Sequence, residues 1–279
     1  MISIQPDVVE ANMAGFHIPA KPQVLVALQE VMNSEEPDFS DISDLISADI
    51  GLSGAILKTV NSPSYGMNRE ISDIKRAVCI LGFSSINLLL PAFLLKKSFP
   101  DTACISLERF WDDSTDVANI MTFVGKQLAG SIPTESLYAL GLFRNCGIPA
   151  MAVKYSDYKH ILIQANERGS ESQIVLENNR FKTNHAVIGY FIANSWNLPK
   201  PLCNLILQHH ELDFLEQDED PTNQISFAIL KMSENIVNRH KRFKDTADWP
   251  YVADKVFDTL GICDLDYSDM EDEAKSFLT

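Results

Sequence analysis

The sequence predicts an all-α protein made of two helical lobes. Apolar residues recur at helical spacing along nearly all of the 279 residues, and no segment alternates polar and apolar residues as a half-buried strand does. Glycine is sparse, at 12 residues, and the Asn-Gly and Asp-Gly pairs that favour tight hairpins are absent. A hydrophobic fraction of 46% is enough for a buried core and is not typical of a disordered chain.

An extension at residues 1–14 precedes the first predicted lobe, at 15–100. Its apolar stripes predict five short helices, at residues 22–32, 42–46, 52–60, 72–81 and 84–95. We expect Ser72 to cap the fourth helix and Gly82 to end it, because glycine adopts a positive φ without steric cost. The fifth helix carries the longest apolar run, which is about half the length of a membrane span and is interrupted by Pro91. This run is therefore expected to form the centre of the lobe.

A polar break at Pro100-Asp101-Thr102 separates the second predicted lobe, at 101–215. A long helix from Ser106 to about Leu128 opens this lobe, and further helices are predicted at residues 134–143, 150–166, 171–179, 184–196, 200–211 and 221–238. The last region, 216–279, begins in an acidic loop and continues in C-terminal helices. Its pattern Ser268-Asp269-Met270-Glu271 is typical of a capping box and predicts a final short helix.

The net charge of −15, from 38 acidic and 23 basic residues, argues against nucleic acid as a partner, because an acidic surface repels phosphate. Basic residues form only short groups such as Lys96-Lys97, which we interpret as solvated helix ends. The five cysteines are scattered and form no Cys-x-x-Cys pair, which is typical of a reducing compartment. No signal peptide or membrane span is indicated, so we expect a cytoplasmic protein without membrane contact.

Short motifs follow one another in a fixed order across about residues 15–212. They are HIP at 17–19, ISADIGLS at 46–53, VNSPSY at 60–65, ISDI at 71–74, LGF at 81–83, FWDDS at 110–114, GLFRNCG at 141–147, HAVIGY at 185–190, WNLP at 196–199 and HHE at 209–211. In order and spacing they resemble HDOD domains, the HD-related output domains of bacterial signalling proteins. The resemblance implies an N-terminal helical lobe packed on an HD-domain-like helical bundle.

True HD phosphohydrolases use a His, a His-Asp doublet and a later Asp to hold one or two divalent metals that provide hydroxide. By motif, the first His position falls on Asp113, the doublet on Arg144 and Asn145, and the last Asp on Glu234. Arginine stays protonated and has no lone pair for a metal, and Asn145 lacks the charge of aspartate. The resemblance therefore implies a degenerate site without a metal or other cofactor. We expect Arg144 to neutralise Asp113 there, and the alternative is that it binds an anionic ligand such as a nucleotide phosphate.

Three histidines, His185, His209 and His210, match residues that help to bind a second metal in the HD-GYP branch of the superfamily. Three imidazoles can form a zinc-type site. Adjacent helical residues point about 100° apart, so His209 and His210 can face one metal only if a helix ends there. The interpretation we favour places both at a helix C-terminus, where the dipole suits imidazole, with His185 as a hydrogen-bonded core residue.

The turn from Asn61 to Tyr65 is a candidate partner-binding site. Asn61 either presents its amide to a ligand or ends the preceding helix in the left-handed conformation, and Pro63 favours the second. Tyr65 is an aromatic residue in a proline-bearing turn, the kind that anchors an interface when it is exposed. Its alternative role is a lid over the core of the lobe.

By resemblance, the sequence favours a non-catalytic bacterial signalling or regulatory module that binds another signalling protein. Two alternatives stay open. One is a metal-dependent phosphohydrolase that uses the residual histidines, and the other is a sensor that binds a nucleotide second messenger without cleaving it. No Gly-x-Ser-x-Gly, Gly-x-Gly-x-x-Gly or Walker motif indicates another enzyme class. The fold alone does not decide between these functions.

Overall fold

The computed structural model describes residues 15–16, 19–61, 65, 67, 69–128, 130, 132–167 and 172–278. The predicted extension at 1–14, most of the HIP motif at 17–19 and residues 62–64 of the predicted turn lie outside the described residues. Within the described part the protein is helical and contains no strand, as the apolar spacing predicts.

Four helices form the N-terminal lobe. They are α1 (Gln23–Met32), α2 (Phe39–Ser47), α3 (Ile50–Val60) and α4 (Ile74–Ser98). An aspartate precedes each of the last three, and the carboxylates of Asp38, Asp49 and Asp73 accept backbone N–H groups of the first turn. The prediction that Ser72 caps the fourth helix is wrong by one residue, because it is Asp73 that reaches the Arg76 N–H.

Helix α4 consists of two helical segments joined at Gly82. This glycine has φ 73° and ψ 167°, a conformation restricted almost entirely to glycine, so the fourth and fifth predicted helices meet where expected. Pro91 is buried inside the second segment and does not interrupt it, in keeping with the helix predicted at residues 84–95, because the surrounding apolar packing outweighs one lost hydrogen bond. By length and composition α4 could cross a membrane, but 61% of its apolar window is buried inside the protein, as in a core helix.

The remaining described chain forms helices throughout and ends in a short 3₁₀ turn. They are α5 (Leu107–Leu128), α6 (Thr134–Phe143), α7 (Gly147–Lys154), α8 (Tyr158–Ala165), α9 (Gln173–Phe181), α10 (His185–Ser195), α11 (Lys200–Gln208), α12 (Phe214–Gln217), α13 (Pro221–Arg242), α14 (Trp249–Leu260) and α15 (Asp264–Ala274), followed by the turn Lys275–Phe277.

Two element predictions in this part need correction. The single helix predicted at 150–166 is split into α7 and α8, because Tyr155 has an extended backbone with φ −115° and ψ 108°. The final helix begins after Cys263 rather than at Ser268, because Asp266 completes a capping box with Cys263.

Helices of the two lobes share one apolar core. α4 packs against α6, and α13 packs against both α5 and α14. The indole N–H of buried Trp196 donates to the Pro19 carbonyl at 3.0 Å, which ties the start of the first lobe to the second. At Gly147 a Cβ atom would collide with the His185 carbonyl oxygen. Glycine therefore allows α7 and α10 to approach closely, which brings the turn after α6 beside His185.

Candidate functional site

The four positions that match the HD motif lie around one cavity. Asp113, Arg144, Asn145 and Glu234 all line an open space of about 820 Å³. Arg144 and Asn145 occupy the turn between α6 and α7, Asp113 lies on α5, and Glu234 lies on α13. We call these four residues the HD-position group.

Arg144 fills the place of the metal-binding doublet with a fixed cation. Its Nε donates to Glu234 Oε1 at 2.6 Å, and its Nη1 donates to the Gly141 carbonyl oxygen. The Arg144 and Glu234 side chains are only 7% and 13% exposed. The carboxylate that motif matching assigns to a metal is thus already engaged by a guanidinium.

Glu234 also belongs to a chain of alternating charges inside the protein. Lys231, which is buried, lies 3.4 Å from Glu234 Oε2 and donates to Asp248 Oδ2 at 2.6 Å. Burial alone would lower the pKa of Lys231, but the two carboxylates outweigh it and raise the pKa above its ordinary value. Burial likewise opposes ionisation of Asp248, yet Lys231 holds the pKa of that carboxyl below its usual value. The four charges therefore compensate one another without a metal.

The prediction that Arg144 neutralises Asp113 is wrong. Asp113 Oδ1 accepts from Lys241 at 2.8 Å, and its Oδ2 accepts from Arg242 at 2.8 Å. Burial would raise the pKa of Asp113, but these two cations lower it overall. The physical reason is the position of Asp113 beside the C-terminal end of α13, which carries both basic residues. Lys241 also pairs with buried Asp116 on the same helix as Asp113.

His185, His209 and His210, called here the three-histidine cluster, converge on one point. His185 Nε2 lies 3.4 Å from His209 Nε2 and 3.1 Å from His210 Nε2, and one ring nitrogen from each residue falls within 4.8 Å of the others. α11 ends at Gln208, so His209 and His210 lie in the turn that follows it. The angle of about 100° between adjacent helical side chains therefore does not keep His209 and His210 from facing one ligand.

Hydrogen bonds at the other ring nitrogen orient two of these imidazoles. His185 Nδ1 lies 2.8 Å from Glu177 Oε2, and His209 Nδ1 lies 2.7 Å from the Ile206 carbonyl oxygen. A neutral ring that donates from Nδ1 to such an acceptor keeps a lone pair on Nε2. In His209, that hydrogen bond leaves the Nε2 lone pair on the side of the cluster. Asn145 of the HD-position group lies 3.0 Å from His209 Nε2 and joins the two groups of residues.

The surroundings of His209 and His210 favour the neutral form of these two rings. Burial lowers the pKa of His209 and of His210 well below the ordinary value, and the neighbouring histidines, Lys231 and Arg144 lower them further. Both residues follow the C-terminal end of α11, where the favoured interpretation places them, and His209 Nδ1 meets a carbonyl oxygen of its last turn. His185 is a hydrogen-bonded core residue as expected.

Glu177 is a residue of the site that sequence reasoning missed. It is fully buried and accepts from Tyr158 Oη at 2.5 Å and from the His185 backbone N–H at 2.8 Å. Burial opposes its ionisation, but His185 holds its pKa below the ordinary value. No local sequence pattern marks Glu177 as a site residue.

Lys231 is a second residue that sequence reasoning missed, but the sequence does carry a signal for it. It interrupts an apolar stripe on α13, and a buried lysine must have a partner.

Asn61 and Tyr65 lie on a different side of the protein. Asn61 ends α3 with φ −88°, not in the left-handed conformation that was expected. Instead, its side-chain amide bonds both backbone groups of Ile71, at 2.7 and 2.8 Å, which satisfies those groups without a strained backbone. Tyr65 is half-buried and packs against the core, which favours the lid interpretation. A role for either residue in binding a partner stays a prediction.

Comparison with known proteins assigns most of the chain to one family. The family model described as the HDOD domain matches residues 18–212. An uncharacterised protein from Treponema pallidum (strain Nichols) is 30% identical over 217 residues, which cover 76% of this chain and 42% of that protein. The chain thus spans less than half the length of this curated relative.

Two solved structures share the fold over nearly the whole chain. A protein from Shewanella amazonensis SB2B, provisionally called a metal-dependent phosphohydrolase, has a TM-score of 0.69 and 17% identity, and covers 97% of this chain and 95% of its own. A protein from Marinobacter aquaeolei VT8, provisionally called a signal transduction protein, has a TM-score of 0.69 and 15% identity, and covers 95% of this chain and 61% of its own. At these identities the likeness concerns the fold alone.

Proposed function

The chain belongs to the HDOD domain family, and from that premise we propose that it is a non-catalytic regulatory module of bacterial signalling that binds another signalling protein. The Arg144–Glu234 ion pair carries this proposal. It places a permanent cation at the position where an HD phosphohydrolase holds its metal, so a divalent ion there would meet charge repulsion and lack a carboxylate ligand. The residues of the HD-position group do not fit a metal.

The names of the two structural neighbours indicate two different functions. One is provisionally called a signal transduction protein and the other a metal-dependent phosphohydrolase. A single fold supports both functions, so the residues of the site must decide between them. In this chain they favour regulation. The five free cysteines suit a reducing compartment and support a cytoplasmic location.

Catalytic assays test this proposal. We expect no turnover of p-nitrophenyl phosphate, cyclic dinucleotides or nucleoside triphosphates in the presence of Mg²⁺ or Mn²⁺. The double variant Arg144→His with Asn145→Asp should gain Mn²⁺ binding, because it supplies the missing ligands and releases Glu234 from its ion pair. Metal-dependent turnover by the unaltered protein that disappears in His185→Ala would overturn the proposal.

One observation favours a second candidate, a metal-binding protein that acts through the three-histidine cluster. The three ring nitrogens lie within 4.8 Å of one another, the rings of His209 and His210 are held neutral, and Glu177 backs His185 as a carboxylate backs many metal-bound histidines. These residues fit a transition metal such as Zn²⁺, which would supply a Lewis acid able to lower the pKa of a bound water. The nearby Arg144 and Lys231 oppose a cation, although Glu234 and Asp248 balance their charge.

Direct metal analysis separates the two candidates. If the second is correct, the purified protein should contain close to one equivalent of a transition metal, and Co²⁺ titration should give visible bands of a low-coordinate site. His210→Ala should abolish both signals. His240→Ala is the matched control, because His240 is exposed on α13 away from the cluster. Retention of the metal in His210→Ala would reject the cluster as its site.

A further inference from the structure

A second large cavity lies between the two lobes. Its volume is about 860 Å³, within the range of sites that bind small molecules. α3 and α4 of the first lobe and α5 and α6 of the second supply its walls, and the C-terminal residues 276–278 line it as well. It shares no lining residue with the cavity of the HD-position group. We call it the interlobe cavity.

Apolar side chains from both lobes form much of the wall. Leu57 lies on α3, Leu89 and Phe93 lie on α4, and Leu142 lies on α6. Contact with these side chains removes apolar surface of a ligand from water, which favours binding. The wall is therefore suited to a ligand with an apolar body.

One face of α5 adds polar groups to the wall. Thr115, Asn119 and Thr122 follow one another at helical spacing and line the cavity. The threonine hydroxyls donate to carbonyl oxygens of their own helix, at 2.7 Å to Trp111 and at 2.9 Å to Ala118. Asn119 differs from them, because it is half-buried and its amide makes no hydrogen bond within the described part of the chain. The Asn119 amide can therefore both donate to a ligand and accept from it.

Two tyrosine hydroxyls at the cavity have the same character. Tyr65 and Tyr138 line it, and among the described residues neither hydroxyl has a hydrogen-bond partner. Burial raises the pKa of each to about 12, so both hydroxyls are uncharged at neutral pH. The hydrogen-bonding groups that a ligand can reach are thus one amide and two phenols, all of them neutral.

The charged side chains at the cavity balance one another. Three lysines and two glutamates line it, and they are Lys58, Lys96, Lys97, Glu70 and Glu135. Lys97 pairs with Asp49 at 3.1 Å, which leaves two lysines against two glutamates. A charged ligand would lose hydration on entering an apolar cavity and would gain no net attraction from such a set. The balance of charges therefore selects a neutral ligand.

We propose that the interlobe cavity binds a small neutral molecule that joins an apolar body to a hydrogen-bonding group such as a hydroxyl. The apolar body packs against α3, α4 and α6, and the polar group exchanges a hydrogen bond with the Asn119 amide. This site goes beyond the proposed function, and it depends neither on the Arg144–Glu234 pair nor on the three-histidine cluster.

Isothermal titration of the full chain with octan-1-ol, octanoate and octylammonium tests the proposal. The three probes share one chain length and differ in the charge of the head group, so their affinities measure the preference for a neutral ligand. We expect octan-1-ol to bind roughly tenfold or more tightly than either charged probe, because only the charged head groups lose strong hydration without compensation.

The Asn119→Leu variant tests the hydrogen bond. Leucine has nearly the size of asparagine but no amide, so octan-1-ol should bind roughly tenfold more weakly. A cavity that recognises only apolar surface would give the opposite result, because leucine adds apolar surface to the wall. Asn194→Leu is the matched control: Asn194 is exposed on α10 and does not line the cavity, so the octan-1-ol affinity should equal that of the unaltered protein.

A second variant tests the place of binding. Ala55 is half-buried on α3 and lines the cavity, so Ala55→Phe should fill part of the space and block octan-1-ol binding. Its circular dichroism spectrum shows whether it is folded. Absence of octan-1-ol binding, equally tight binding of a charged probe, an unchanged affinity in Asn119→Leu, or full binding by a folded Ala55→Phe would each overturn the proposal.

Discussion

At the scale of single residues, the ion pair of Arg144 with Glu234 joins two distant parts of the chain. Arg144 lies at the end of α6, and Glu234 projects from α13. The pair is almost fully buried, so it holds these helices together only while both partners remain charged.

We predict that Arg144→Met lowers the free energy of unfolding by about 3 kcal/mol, because it leaves the buried Glu234 carboxylate with only its longer, 3.4 Å contact to Lys231. Urea unfolding followed by circular dichroism measures this change. Arg242→Met is the control: Asp113 keeps Lys241 and the Arg242 side chain is 44% exposed, so its loss should cost less than about 1 kcal/mol. Equal effects of the two substitutions would contradict a structural role for Arg144.

The three-histidine cluster predicts a loss of stability in mild acid. His209 and His210 have pKa values well below the ordinary value in the folded protein, whereas in the unfolded chain they titrate near pH 6.5. Between these values the unfolded chain binds more protons, so stability falls as the pH falls from about 7 towards 5, by up to about 1.4 kcal/mol per pH unit for each histidine. Urea midpoints measured at several pH values between 7.5 and 5.5 test this.

The double variant His209→Gln with His210→Gln should flatten that pH dependence, while His240→Gln should leave it unchanged because His240 is exposed. The lowered pKa values of Glu177, Asp113 and Asp248 do not interfere, because the stability they add is present above the unfolded carboxyl pKa and is lost only in stronger acid. If stability depends on pH as steeply in the double variant as in the unaltered protein, the cluster is not the source of that dependence.

The limits of sequence reasoning are clearest at this scale. The four motif positions Asp113, Arg144, Asn145 and Glu234 line one cavity. The ion pair expected between Arg144 and Asp113 does not form. Asp113 instead pairs with Lys241 and Arg242, 128 and 129 positions away, and Arg144 pairs with Glu234, 90 positions away. Which of several carboxylates an arginine meets depends on helix packing, and no local pattern encodes it.

At the scale of helices, a helix junction at a glycine was predictable from the sequence, whereas a short interruption without glycine or proline was not. Gly82 marks the junction inside α4 because its backbone conformation excludes other residues. The break at Tyr155 between α7 and α8 has no such mark, since neither glycine nor proline lies near it and its side chain packs on Phe16 and Phe181. Tertiary packing there overrides a helical pattern that continues through the sequence.

Helix α14 was not predicted individually. Pro250 suggests a break in the helical pattern, but it occupies the first turn of α14, where proline is tolerated.

Two glycine substitutions test the junction. Gly82→Ala should destabilise the protein by about 1–3 kcal/mol, because alanine is strained at that backbone conformation even though its Cβ meets no neighbour. Gly54→Ala is the matched control, since Gly54 lies inside α3 with open space around it and alanine should stabilise that helix by about 0.5–1 kcal/mol. In thermal unfolding, the midpoint should fall for Gly82→Ala and rise for Gly54→Ala. A neutral Gly82→Ala would mean that α4 straightens at no cost.

At the scale of the whole molecule, we expect the two lobes to behave as one folding unit because they share a core. α4 is buried against helices of both lobes, and the Trp196–Pro19 hydrogen bond ties the chain's first described segment to the second lobe. We therefore expect the HD-like lobe not to open away from the first. In the proposed regulatory role, a partner that binds one lobe would act through the stability or shape of this joint core.

Unfolding watched from each lobe separately tests this unity. All three tryptophans lie outside the first lobe, and Cys79 is an exposed cysteine within it. A dye on Cys79 therefore reports the first lobe in a variant with Cys104→Ser and Cys263→Ser. We expect the dye and the tryptophan fluorescence to give the same urea midpoint, because neither lobe can bury its half of the shared core alone. Trp196→Phe removes the buried hydrogen bond to Pro19 and should lower both midpoints together, by about 1 kcal/mol or more of stability. Two separate transitions, with the dye responding first while the tryptophan signal is unchanged, would show that the N-terminal lobe folds independently and can move as a separate body.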